Sequence, residues 1–252
     1  MAIGWIEEID LDDWDSFKRL VTSWGRDGTF KGQQREAVYR GQPLASHRLC
    51  ASLDRRLNNV SLRSRRDLQK RMRDYVVDRR PQLSSLSDDS VYALLQHHGA
   101  PTRLLDWSTR PYQAAFFAMS SSLEEQADED DCAVWALDSG AACFRIGEGG
   151  VKLLYPSEQE NTRAIVQRGV FTLNESLQPD IEGYLGQLES SGHEKPVVVL
   201  KKARIPRNDS ELALWDLSAM GIDFESTYPD LSGLARASYS RALLGSRREL
   251  YS

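Results

Sequence analysis

The chain has 252 residues, of which 40% are hydrophobic and 27% charged, with 17 glycines, 9 prolines and 3 cysteines. This is globular usage, and it excludes collagen-like, disordered and disulfide-scaffold proteins. A formal net charge of −5 excludes a surface built entirely for nucleic acid, and a chain of this length forms a core without a structural metal.

Periodicity and boundary residues predict the elements of the first half. Apolar residues at helical spacing from Trp14 to Val21 indicate an amphipathic helix that begins at Asp12 or Asp13. The other predicted elements are a strand over 37–41, a long arginine-rich helix over 61–80, a short helix over 88–98 closed by Gly99, and a helix that begins near Pro111 after a cap at Ser108 or Thr109.

The second half contains short β-rich runs between its helices. Strands are predicted over 133–137, 164–167, 169–173 and 197–200, and helices from Asp209 or Ser210 to Met220 and from Pro229 towards Leu244. Helices that cluster early and late around short strands predict an α+β fold, a single domain whose mixed or antiparallel strands are packed by several helices.

Two blocks of opposite charge lie behind the modest net charge. Ten basic residues and three acids fall between Arg55 and Arg80, whereas Glu124–Asp131 carries six acids and no base. The basic block could bind nucleic-acid phosphates, or it could be a solvated amphipathic surface helix. The phosphate-binding candidates are Arg63, Arg65, Arg66, Lys70 and Arg73.

The cysteines and the apolar segments bear on compartment. Cys50, Cys132 and Cys143 fit neither a CxxC pair nor a secreted framework, which favours buried free thiols in a reducing compartment. The N-terminus lacks signal-peptide features, and the longest apolar-leaning stretch, 111–123, is shorter than the roughly 20 residues of a membrane span. We therefore expect a cytoplasmic protein with no membrane partner; the sequence leaves the oligomeric state open.

Metal binding is not expected, because His97 and His98 are adjacent and diverge by about 100° on a helix. Gly147–Gly150 lacks the spacing of a dinucleotide fingerprint. Chemistry-bearing side chains concentrate instead in a predicted loop over 96–109 and at Tyr39–Gln42.

Each of these segments has a structural alternative. Arg40 at a strand end could hold phosphate or carboxylate through parallel hydrogen bonds, or form a surface ion pair. Gly41 would let a ligand or another backbone approach. Asp106 could cap the following helix or pair with Arg103, and Trp107 could be core.

Four segments in this order resemble the FRG domain family. They are YRGQ at 39–42, QHHGAPTRLLDWSTRPYQAAFFA at 96–118, RAIVQRGVFTL at 163–173 and YPDLSGL at 228–234. The resemblance extends over about 10–245, and it implies that the chain, 1–252, is one FRG domain. It also implies a bacterial or phage protein, with a defence or toxin setting for some members.

A more distant resemblance is to ADP-ribosyltransferases of the Arg-Ser-Glu type. Arg40, the Ser108-Thr109 pair and Gln167 fall in the order of that triad, with an amide in place of the glutamate. The resemblance implies an NAD cofactor, with Arg40 on its pyrophosphate, Ser108 and Thr109 on the nicotinamide ribose and Gln167 orienting that ribose. His97 or His98 would act as acid/base or line the pocket. The further cofactor-binding candidates are Tyr39, Gly41, Gln42, Thr102, Arg103, Asp106 and Trp107.

Two functions follow from these residues. The first is an ADP-ribosyltransferase-like enzyme that modifies a protein or nucleic-acid acceptor. The second is a non-catalytic or nucleic-acid-binding module that uses the arginine-rich helix, with the 96–109 segment as scaffold.

Overall fold

A computed structural model describes residues 4–30, 37–122, 131–144, 149–155, 169–192, 197–228, 231, 233–239 and 242. Its strands are β1 (Ile6–Asp10), β2 (Ala37–Gln42), β3 (Leu104–Ser108), β4 (Cys132–Asp138), β5 (Val151–Leu154), β6 (Gly169–Asn174) and β7 (Leu200–Ile205). Its α-helices are α1 (Trp14–Asp27), α2 (Ser52–Arg56), α3 (Leu62–Arg79), α4 (Asp88–His97), α5 (Pro111–Ser122), α6 (Ile181–Ser190), α7 (Ser210–Ala219) and α8 (Phe224–Thr227). Residues 231, 233–239 and 242 are also helical.

The seven strands form one mixed sheet in the order β1-β7-β4-β2-β3-β6-β5. The β1–β7 pair is parallel, and the other pairs are antiparallel. The sheet joins strands from residue 6 to residue 205 and is flanked by helices, which confirms the α+β class.

Strand β4 shows how the core covers both faces of the sheet. All seven of its residues are buried. Val134 belongs to the cluster formed with α1, α5 and α7, whereas Trp135 belongs to the cluster on the opposite face with α6. Successive side chains of a strand point to opposite faces, and so both faces at the centre of the sheet are covered.

The helix predictions succeed where a cap and a periodic face coincide. The Asp13 side chain accepts a hydrogen bond from Ser16 N and caps α1, and Gly99 adopts a positive φ of 83° after α4. The predicted helices at 61–80, 88–98, 111 onward and 209–220 are confirmed by α3, α4, α5 and α7.

Several sequence-based assignments were wrong. Leu104–Ser108, predicted as part of a loop, is strand β3, and Ser108 is therefore a strand residue whose Oγ accepts a hydrogen bond from Arg110 N. The strand predicted at 197–200 lies at Leu200–Ile205. Elements β1, β5, α2, α6 and α8 were not predicted. The predicted strand at 164–167 and most of the acidic stretch, 124–130, lie outside the described residues.

No helix among the described residues is long and apolar enough to cross a membrane. The three cysteines are free thiols: Cys132 and Cys143 are buried, and Cys50 is half-buried.

Candidate functional site

A split between two neighbouring strands creates the candidate site. β2 pairs with β4 over six residues and β3 pairs with β6 over five, but β2 and β3 share a single pair, Tyr39 with Ser108. Beyond that pair the guanidinium of Arg40 bonds to β3 instead, with Nη1 donating to the Asp106 carbonyl at 2.8 Å. The side chain thus satisfies a backbone acceptor that a continuous sheet would satisfy with an amide.

A cavity of about 440 Å³ lies over this split. It falls within the range of small-molecule pockets, about 300 to 1,000 Å³. Helix α4 supplies Gln96 and His97 and helix α5 supplies Phe117 and Ser121, so the cavity opens between these two helices. The remaining lining residues are Tyr39, Arg40, Gly41, Pro43, Ala93, Gly99, Asp106, Trp107, Ser108, Phe171, Tyr228 and Arg236.

Arg40 and Asp106 form the charged centre of the cavity. Arg40 Nη1 lies 2.7 Å from Asp106 Oδ1, and the Arg40 side chain is 20% exposed against 53% for Asp106. Desolvation opposes the ionised carboxylate, but the charge and hydrogen bond of Arg40 outweigh it and lower the pKa of Asp106. Arg40 Nε is buried and has no hydrogen-bond partner among the described residues.

Gln96 ties the end of α4 to this ion pair. Its Nε2 donates to Asp106 Oδ1 at 3.3 Å, and its Oε1 accepts from the hydroxyl of Thr102. Thr102 is fully buried, and its Oγ1 also accepts from Leu104 N. Thr102 therefore does not line the cavity but positions a residue that does.

The adjacent histidines have different surroundings. Their rings lie edge to face with centroids 4.9 Å apart. His97 is half-buried and lines the cavity, whereas His98 is exposed and does not. Among the described residues, no group of three His, Cys, Asp or Glu side chains is placed to hold a metal ion.

Gly41 allows the close approach of a backbone. A Cβ at this position would lie 1.9 Å from Ala114 O and 2.6 Å from Ala118 N. The α5 backbone therefore packs directly on β2, and this contact fixes the cavity wall beside Arg40. Tyr39 is buried, stacks on Trp24 and shares a hydrogen bond with Thr29.

Arg103 belongs to a buried ionic cluster away from the cavity. The prediction that Asp106 pairs with Arg103 was wrong, because Asp106 binds Arg40 while Arg103 Nε donates to Asp54 at 3.2 Å. Arg103 also donates to Glu175 and to the Asn174 carbonyl. At 2% exposure the guanidinium is enclosed by protein acceptors, so it anchors the start of β3 and offers no donor to a ligand in the cavity.

The other predicted site residues divide between core and cavity. Trp107 is in the core and donates to Thr172, while part of it lines the cavity. Gln42 is buried and accepts from Trp135. Thr109 Oγ1 is buried with no hydrogen-bond partner among the described residues. Ser108 lines the cavity with Arg40; Gln167 lies outside the described residues.

Three arginines of helix α3 are paired with carboxylates. Arg65 is 5% exposed and pairs with Asp54 at 2.8 Å, so it cannot reach a nucleic-acid phosphate, contrary to the sequence-based alternative. Arg66 pairs with Glu175 and Arg73 with Asp88. Arg63 and Lys70 are exposed.

Sequence reasoning missed part of the cavity wall. Gln96 was inside the recognised motif but had no assigned role, and the missed aromatic and basic residues come from distant elements. The missed lining residues are Pro43, Ala93, Gln96, Gly99, Phe117, Ser121, Phe171, Tyr228 and Arg236. Phe117, Phe171 and Tyr228 fall within the motifs of the family resemblance, which was the available signal. Nothing local marks Arg236, whose guanidinium lies 5.3 Å from the Tyr228 ring.

These features define an α+β protein with a polar, aromatic-walled cleft at a split in its sheet. Residues 35–127 match the family model described as the FRG domain, so this part of the chain is similar to that domain. The match includes β2, β3 and the helices on either side of the cavity. Neither the curated proteins nor the solved structures give a match.

Proposed function

We propose that the cavity at the β2–β3 split binds NAD and that the protein is an ADP-ribosyltransferase-like enzyme. The observation that carries this proposal is that Arg40 and Ser108, the first two members of the resembled triad, line one cavity. Convergent polar groups in a concave, partly aromatic pocket are the usual signature of a ligand site.

The residues of the cavity fit part of a dinucleotide. Arg40 Nε has no hydrogen-bond partner among the described residues, and this guanidinium can donate to a phosphate oxygen. Phe117 and Tyr228, which lie edge to face with ring centroids 6.2 Å apart, supply an aromatic part of the cavity wall. Ser108, which also lines the cavity, is the residue to which the resemblance assigns a ribose contact.

The proposed reaction transfers ADP-ribose to a nucleophile. NAD supplies a glycosidic C1′–N bond that breaks with its electron pair leaving on nicotinamide, while an acceptor oxygen or nitrogen bonds to C1′ and loses a proton. His97 is the histidine that lines the cavity, and its imidazole can accept this proton. Arg40 and Ser108 hold the reacting ribose and phosphates, and Asp106 and Gln96 keep the guanidinium in place.

Calorimetric titration with NAD tests the binding step. The wild-type protein should bind NAD, and Arg40→Gln should weaken the affinity by about tenfold or more, because a charge-assisted hydrogen bond is lost. Arg63→Gln removes the same charge from an exposed site outside the cavity and is the matched control. The same NAD affinity for all three proteins, or no NAD binding by the wild type, would contradict the proposal.

Transfer is tested separately with NAD labelled in its adenylate half. Incubation with a cell lysate should label a protein or nucleic-acid acceptor, and the label should be lost with Arg40→Gln. NAD binding without label transfer would reduce the proposal to a nucleotide-binding module. A cytoplasmic location and a bacterial or phage defence or toxin role belong to the same proposal.

A further inference from the structure

A second cavity of about 210 Å³ adjoins the first and shares part of its lining. Arg40, Gln96, Gly99 and Asp106 line both cavities. The second cavity also contacts Leu105, which packs in the core cluster on the sheet face of α6. The Arg40–Asp106 pair therefore stands at the boundary between two connected spaces.

Two arginines make the wall of the second cavity positively charged. Arg55 and Arg56, consecutive on α2, are exposed and line it. Neither has an ion-pair partner within the described part of the chain, although nearby Arg48 and Arg65 are paired with carboxylates at 2.7 Å and 2.8 Å. Two adjacent guanidiniums left without protein partners at the edge of a pocket match the charge of a phosphate group.

The competing negative charges near this pair are already neutralised. Asp106 is paired with Arg40. Asp54, on the same helix, is turned into the core and bonded to Arg65 and Arg103. Burial raises the pKa of the Cys50 thiol to about 11, so this lining residue is uncharged at neutral pH. An anion in the second cavity therefore faces a net positive wall.

We infer that Arg55 and Arg56 form a phosphate subsite that holds the diphosphate of a nucleotide whose ribose lies in the first cavity. The inference rests on the proposed function for the identity of that nucleotide. It adds a binding role for α2, which precedes the motif residues of β3 by about 50 positions and which the Arg-Ser-Glu comparison does not involve. In this arrangement the Arg40 guanidinium lies between the ribose in the first cavity and the diphosphate in the second.

Titration calorimetry with three probes tests the subsite. The probes are NAD, ADP-ribose and nicotinamide riboside, which carries no phosphate. We expect the double variant Arg55→Gln/Arg56→Gln to bind NAD and ADP-ribose at least about tenfold more weakly, since two charge-assisted contacts are removed. Its affinity for nicotinamide riboside should change less than about twofold.

The control is Arg63→Gln/Arg71→Gln, which removes two charges from exposed positions of α3 outside both cavities. Unchanged NAD and ADP-ribose affinity in the Arg55/Arg56 variant, or an equal loss in the control, overturns the subsite. If ADP-ribose binds through Arg55 and Arg56 but NAD does not bind, the subsite stands and the NAD proposal fails. If wild-type protein binds none of the probes with a dissociation constant of about 1 mM or lower, the subsite is also overturned.

Discussion

Gly41→Ala should separate helix α5 from strand β2 and lower the free energy of unfolding substantially. The added Cβ would lie 1.9 Å from Ala114 O, and ordinary contact begins at 3.4 Å, so α5 would have to withdraw from β2 by about 1.5 Å. Both obstructing atoms belong to backbone, and no side-chain rotation can relieve the clash. Ala114, Ala118 and Met119 are fully buried along this helix, so withdrawal would open the core. Overpacking typically costs about 1 to 3 kcal/mol and occasionally more; we expect about 3 kcal/mol or more here.

Urea denaturation followed by tryptophan fluorescence measures this loss as a change in the free energy of unfolding. Gly25→Ala is the matched control, because Gly25 lies inside α1 and a Cβ there would meet nothing within 4 Å. The control should be stabilised by about 0.5 to 1 kcal/mol through helix propensity. A loss below about 1 kcal/mol for Gly41→Ala would refute the close packing of α5 on β2.

Three further predictions concern the buried cluster, the histidines and acid stability. Asp54→Asn removes the shared carboxylate of two buried guanidiniums and should cost about 3 to 5 kcal/mol in urea unfolding; a loss under 1 kcal/mol would contradict the buried ion pairs. His97→Ala should lower label transfer from NAD much more than His98→Ala, since only His97 lines the cavity; equal rates would remove His97 from the site. The pKa of Asp216 is lowered by its hydrogen bond from Lys18 and by that from Trp14, so its stabilising effect is full above its unfolded pKa of about 3.8 and is lost as the pH falls through the folded pKa. Asp216→Asn should therefore be less stable than wild type at pH 7 and equally stable at strongly acidic pH in unfolding experiments; a pH-independent difference would contradict this.

The site was partly predictable because its residues are carried by recognisable motifs. Arg40 and Ser108 line one cavity, as the resemblance implied, and Gly41 serves a close approach, as its residue type indicated. The approaching group is the α5 backbone, which local sequence cannot distinguish from a ligand. The pairing of Arg40 with Asp106 depends on two strands 66 residues apart and has no local signal.

The errors in predicting strands β3 and β7 also have physical causes. The buried residues Leu104, Leu105 and Trp107 lie on both faces of β3. Its sequence therefore lacks the alternation of apolar and polar residues that indicates an amphipathic strand. β7 carries Lys201 and Lys202, which are unfavourable in strands by composition. Their side chains are only 15% and 13% exposed, and Lys202 lies over the ring of Trp135. The stems of these lysines are packed, and only the charged ends reach a partner.

The burial of Arg65 shows that composition does not identify which residues of a basic block are available to a partner. Composition shows ten basic residues between 55 and 80, but it does not show which of them are paired inside the protein. Tertiary contacts with Asp54 and Glu175 take up Arg65 and Arg66. Arg55 and Arg56, the first two basic residues of the same block, line the second cavity.

Hydrogen exchange with and without saturating NAD tests the central claim most directly, because it reports where the ligand lies. The β2 and β3 amides beside the split lack mutual backbone pairing beyond Tyr39 and Ser108, so bound ligand should slow exchange in peptides covering 38–42, 96–99 and 104–108. Exchange in the outer α1 peptide, 14–27, should be unchanged. Protection confined to α3, or no change at the split under saturating NAD, would contradict a nucleotide site between β2 and β3.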